Sequence, residues 1–93
     1  MAPRWTESSD KHQVPRRDQI HAILNATYVA ELVGEGRGSG RVMLFIGPAH
    51  PQTRRELEIL IQEFAESGQE AVIFHAMELG PKYRRYREEH PNG

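Results

Sequence analysis

The alternation of apolar and polar positions changes rhythm several times along the chain, and each change marks an element. Pro15 is a residue type that can open a helix at its first turn. After it, RRDQIHAILNA places Ile20, Ile23, Leu24 and Thr27 at helical spacing on one side, with Arg16, Arg17, Asp18, Gln19 and Ala22 elsewhere. This predicts an amphipathic helix of about three turns. TYVAELV is short, β-branched and apolar, as a strand is. GEGRGSG, with Gly34, Gly36, Gly38 and Gly40, is too flexible for an element and reads as a hairpin tip. It lacks the lysine and the spacing of a phosphate loop. RVMLFIG is almost continuously apolar, which suits a strand buried on both faces. The proline-bounded PAHPQT is a turn.

RRELEILIQEF then alternates, Leu57, Ile59 and Ile61 pointing one way and Glu56, Glu58 and Gln62 the other. Its Glu, Leu and Gln content also suits a helix, but the alternation favours a strand. ESGQ turns the chain into EAVIFHAMEL, the last strand. Gly80-Pro81 stops that strand, and Pro81 is placed to begin a final helix. Consecutive strands joined by short links pair antiparallel. The predicted fold is therefore α+β: an N-terminal helix, a four-stranded antiparallel β-sheet with that helix on one face, and a short C-terminal helix. The predicted core is Ile20, Ile23, Leu24, Leu44, Ile46, Leu57, Ile59, Ile61, Val72 and Phe74.

Length and composition narrow the class. A chain of 93 residues makes one small domain. Residues 1–10 show no period and read as loosely held; 11–89 form the compact domain, and 90–93 read as a disordered tail. The chain has no cysteine, which excludes disulfides and thiolate metal sites and fits a reducing compartment. No apolar run reaches the ~18 residues of a membrane span, and the N-terminus is too polar for a signal peptide. The expected location is the cytoplasm, away from membranes. Twelve basic and thirteen acidic residues nearly cancel, giving a formal charge of −1. Any anion site must then be local.

The strongest local excess is Lys82–Arg87, six residues with no acid among them. Strand alternation sets Val72, Phe74 and Ala76 on one side and Ile73, His75 and Met77 on the other. With the first set in the core, His75 falls on a partly open face that the basic helix can approach. A histidine beside several cations suits RNA cleavage. A base must take the 2′-hydroxyl proton, cations must offset phosphorane charge, and an acid must protonate the leaving oxygen. Histidine titrates in the range for either proton role. Arg84 and Arg85 offer bidentate phosphate contacts, Lys82 and Arg87 add charge, and Tyr83 and Tyr86 present rings on which an unpaired base can stack. Structural roles stand beside these. A strand histidine is more often a packing residue, Arg85 and Glu89 have the spacing of a surface ion pair, and both tyrosines suit a helix packed on a sheet. His12 precedes the first helix and is a weaker candidate; His21 is on that helix's polar side, and His50 and His90 precede prolines. No histidine pair has metal-ligand spacing, so neither a metal nor a cofactor is expected.

KHQVPRRDQIHAIL, RVMLFIG with the alternating strand after it, and AVIFHAM leading into GPKYRRYREE together resemble the BrnT-like toxins of the RelE-like ribonuclease superfamily. The resemblance spans residues 11–89. It implies a compact antiparallel sheet with helices, a metal-independent endoribonuclease that arrests bacterial growth, and a cognate antitoxin protein that neutralises it in a toxin–antitoxin hetero-oligomer. His12 matches the family's early histidine, and Arg84 and Arg85 match its arginine pair. Gln13 stands where a glycine usually follows the histidine, and His75 and Met77 where a serine and an arginine flank an alanine. The missing arginine leaves a second function open: a non-catalytic module that binds protein or nucleic acid on the same fold.

Overall fold

The computed structural model describes residues 4–35, 40–64 and 69–93. The elements are β1 (Arg4–Trp5), a 3₁₀ turn (Glu7–Asp10), α1 (Arg16–Leu24), β2 (Tyr28–Glu31), β3 (Arg41–Pro48), β4 (Glu56–Glu63), β5 (Val72–Glu78) and α2 (Pro81–Glu89). The class is α+β. The sheet has five strands in the order β1-β5-β4-β3-β2, with β1 parallel to β5 and the other neighbours antiparallel. The four-stranded, wholly antiparallel sheet is thus corrected by one short parallel edge. Most of the glycine-rich hairpin tip and of the ESGQ turn falls outside the described residues.

That extra strand comes from the segment expected to be loose. Arg4 pairs with Val72 and Trp5 with Ile73. Thr6 caps the 3₁₀ turn, and the Ser8 hydroxyl donates to the Phe74 carbonyl at 2.7 Å. Two residues are too few for a period to show, so pairing decides where pattern cannot. At the C-terminus the Tyr28 hydroxyl donates to the His90 carbonyl, and the Gly93 N–H donates to the same carbonyl at 3.0 Å.

Helices cover both faces, not one. On one side α1 packs over Ala49, Leu57, Ile59, Ile61, Ile73 and Ala76. On the other, Tyr83 of α2 joins Tyr28, Ala30, Leu32, Val42, Leu44, Ile46 and Leu60. Central β4 consequently buries Leu57, Glu58, Ile59, Leu60 and Ile61 in succession. Each buried aliphatic side chain is worth about 1.5–3 kcal/mol.

The α1 face differs from the expected one. Gln19 and Ala22 are the residues fully buried, Ile23 is half-buried, Ile20 is half-buried, and Leu24 is 78% exposed. Three contacts accompany this rotation. The Trp5 indole N–H donates to Gln19 Oε1 at 2.9 Å while Gln19 Nε2 donates to the Val14 carbonyl at 3.0 Å. Gly47 on β3 also leaves room for the Ala22 carbonyl; a Cβ there would lie 2.2 Å from that oxygen.

The last strand is corrected too. Leu60 faces His75 but Ile61 faces Ile73, so Phe74 is an extra residue in a β-bulge. Ile73 and Ala76 both belong to the α1 side, and Phe74 packs on the α2 side. Val72 and Phe74, expected in the core, are only half-buried, whereas Ile73 is fully buried.

Gly47→Ala is expected to destabilise the protein by about 1–3 kcal/mol or more, because the new methyl meets backbone that cannot give. Urea unfolding checks this; a midpoint equal to the parent's would show that α1 is not seated by that close approach.

Candidate functional site

The bulge gives His75 its place. Opposite Leu60, it lies on the α2 side of the sheet, two residues across from Glu58. Glu58 is 3% exposed, and a carboxylate there needs partners for both oxygens. Oε1 accepts the Gly80 N–H at 2.8 Å, at the point where β5 gives way to α2. Oε2 lies 2.7 Å from His75 Nε2. An ionised carboxylate only accepts, so Nε2 carries a proton and donates to it. The His75 side chain is a quarter exposed.

His12 comes from the loop between the 3₁₀ turn and α1. Its ring centroid lies 5.8 Å from that of His75, nearly edge-on. The two histidines, 63 positions apart in sequence, are thus neighbours in space. Gln13, next to His12, has φ 59°, the left-handed backbone that favours glycine. Among the described residues no three His, Cys, Asp or Glu side chains are grouped as metal ligands.

The basic helix divides by face. Tyr83 is buried in the α2-side core. Its hydroxyl holds its proton above the ordinary tyrosine range, chiefly through burial, with nearby Lys82 opposing. The Lys82 ammonium is 5.1 Å from the centre of that ring. Arg87 makes a two-pronged pair with Glu56, at 2.8 and 3.3 Å, and this hydrogen bonding holds its pKa above the ordinary arginine value. Tyr86 is half-buried and stacks on His90 at 4.4 Å between centroids. Arg84 and Arg85 are exposed, with no ion-pair partner among the described residues. Arg85 lines a shallow hollow with Lys82, Tyr86 and Glu89.

The structure therefore brings His12 and His75 together. Its hydrogen bonds and ring contacts among the described residues do not link His75 to Arg84 or Arg85. It packs Tyr83 in the core, one of the two roles that sequence left open for it, and pairs Arg87 with Glu56. It adds Glu58, which sequence placed merely on the polar side of its strand. A signal was present: one acid amid Leu57, Ile59, Leu60 and Ile61, in a strand whose neighbours are apolar, requires a buried partner.

No family model, curated protein or solved structure matches this chain.

Two buried tyrosines make stability pH-dependent. Tyr28 and Tyr83 both have raised pKa values in the folded protein, with burial the largest cause for each; Tyr86 adds to it for Tyr28 and Arg87 opposes. An unfolded tyrosine titrates at about 10. Their stabilisation is complete below that pH and is lost as pH rises from there through the folded values. Urea midpoints should fall above pH ~10, and fall less in a Tyr28→Phe, Tyr83→Phe double variant; equal losses would assign the alkaline transition to other groups.

Proposed function

We propose that the protein is the toxin of a bacterial toxin–antitoxin pair: a cytoplasmic, BrnT-like endoribonuclease that cleaves RNA without a metal and arrests growth. The observation that carries this reading is the His75–Glu58 pair with His12 beside it, at the root of a helix whose outer face bears Arg84 and Arg85. The resemblance of residues 11–89 to that family supports it from a separate direction.

The chemistry follows from the bonding. Glu58 accepts the hydrogen bond of His75 Nε2–H, leaving Nδ1 as the base that takes the 2′-hydroxyl proton. The 2′-oxygen then attacks the adjacent phosphorus and the bond to the 5′-oxygen breaks. His12, in its protonated form, delivers a proton to that oxygen. The products are a 2′,3′-cyclic phosphate and a 5′-hydroxyl end. Arg84 and Arg85, with Lys82 assisting, hold the charge that builds on the phosphorane. The antitoxin, in this reading, lays an acidic segment over α2 and the His75 face, where opposite charge speeds encounter and excludes RNA.

Glu58 also favours a second reading, a non-catalytic binding module. A carboxylate joining His75 to the Gly80 N–H is equally a staple between sheet and helix. Induction in a bacterial host, with growth and mRNA 5′ ends followed together, separates the two. Growth arrest with new 5′ ends is expected; harmless induction without them favours the module.

His75→Gln should lower the cleavage rate of purified protein, in chelator, by about 10²–10⁴, the usual contribution of a general acid or base. Arg84→Ala, Arg85→Ala should abolish toxicity without moving the unfolding midpoint, since exposed substitutions seldom cost stability. Full toxicity in the double arginine variant would reduce the outer face of α2 to a solvated surface.

A further inference from the structure

A second gathering of cations and imidazoles lies where α1 faces the turn between β3 and β4. Arg17 and His21 stand one helical turn apart on α1, His50 is in the turn, and Arg55 directly precedes β4. These four line one hollow together with Asp18.

Both imidazoles are oriented by backbone. His21 Nδ1 lies 3.0 Å from the Pro48 carbonyl oxygen. A carbonyl only accepts, so Nδ1 carries the proton there. The Gln52 N–H donates to His50 Nδ1 at 3.3 Å, which puts the His50 proton on Nε2. The turn that carries His50 is itself closed three times. The Ala49 N–H donates to the Arg55 carbonyl at 3.0 Å, the Thr53 N–H to the His50 carbonyl at 3.3 Å, and the Arg55 N–H to Thr53 Oγ1 at 3.0 Å. The donors are thus presented from two elements whose backbones are fixed before any ligand arrives.

The charges are unbalanced. Two guanidiniums share the hollow with one carboxylate. Asp18 is 4.0 Å from Arg17 Nε, a marginal pair, and the Arg17 side chain is 89% exposed. Arg55 has no ion pair among the described residues.

We propose that this hollow is a phosphoryl-binding site, with Arg17 and Arg55 as its charged forks and His50 Nε2–H as a donor that works even when the imidazole is neutral. Guanidinium geometry matches phosphate oxygens in pairs. The site adjoins the His12 hollow through Arg55 but needs no catalysis there. Its phosphoryl group belongs either to a small ligand or to a nucleic-acid backbone. Arg55 also lines the adjoining hollow that contains His12, so an extended single strand is one of the two sources to test.

The experiment is a titration of the isotope-labelled full chain, followed by the His21 and His50 ring resonances. One arm uses inorganic phosphate, the other a short single-stranded RNA made uncleavable by 2′-O-methylation. Binding is read without turnover, so an inactive protein still gives an answer. Saturable shifts of both rings are expected. Shifts with phosphate but not RNA would assign a small ligand; shifts with RNA would assign the backbone. Arg17→Gln, Arg55→Gln should weaken phosphate binding roughly tenfold or more, as removing charge-assisted hydrogen bonds does. On RNA it should flatten the salt dependence by about 0.7 for each phosphate no longer neutralised. No saturable shift with either ligand, or unchanged affinity and salt slope in the double variant, would overturn the proposal.

Discussion

The structure turns on one buried carboxylate. Glu58 lies in the middle of the central strand, under α2, where an unpaired charge would cost several kcal/mol. Both oxygens are satisfied, one by the Gly80 N–H and one by His75. These two bonds do different things. The first fixes the chain where it leaves β5, so Pro81 starts α2 in a direction that lays Tyr83 over Leu60 and Leu44. The second fixes the tautomer and orientation of His75. The sheet-to-helix junction and the placement of His75 therefore share a group, and a change at Glu58 disturbs both.

The two faces of the sheet are reached by different means. On the α2 side, alternation carries Leu44, Ile46 and Leu60 into one cluster with little correction. On the α1 side the fit depends on exceptions: a glycine at 47 that admits the Ala22 carbonyl, and a buried glutamine held by an indole from the N-terminal strand. Arg16 extends that attachment, lying 4.9 Å over the Trp5 ring while bonding Asp10 at 2.9 Å. A helix of nine residues is marginal alone in water, and tertiary contacts of this kind are what hold it.

The basic helix is two surfaces in one. Its inner side, through Tyr83 and the Arg87–Glu56 pair, belongs to the fold. Its outer side leaves Lys82, Arg84 and Arg85 to solvent. A continuous run of basic and aromatic residues in sequence therefore does not mean a continuous binding surface. At about 100° per residue, Tyr83 turns into the core while the adjacent Arg84 and Arg85 stay at the surface.

Sequence by itself determined the α+β class, the positions of α1, β2 to β5 and α2, and the burial of Leu44, Ile46, Leu57, Ile59 and Ile61. Period-2 and period-3.6 patterns are local, and local patterns can be read without knowing what packs on them. It also marked His12 and His75 as candidates, but not that they touch. Only the tertiary structure decided four things: the parallel β1 edge, the rotation of α1 that exposes Leu24, the bulge at Phe74, and the pairing of Glu58 with His75. Each depends on contacts between residues far apart in the chain. A bulge shifts alternation by one residue without changing composition, and an acid set among apolar residues shows that it needs a partner but not which residue supplies it. The partner is supplied by the fold.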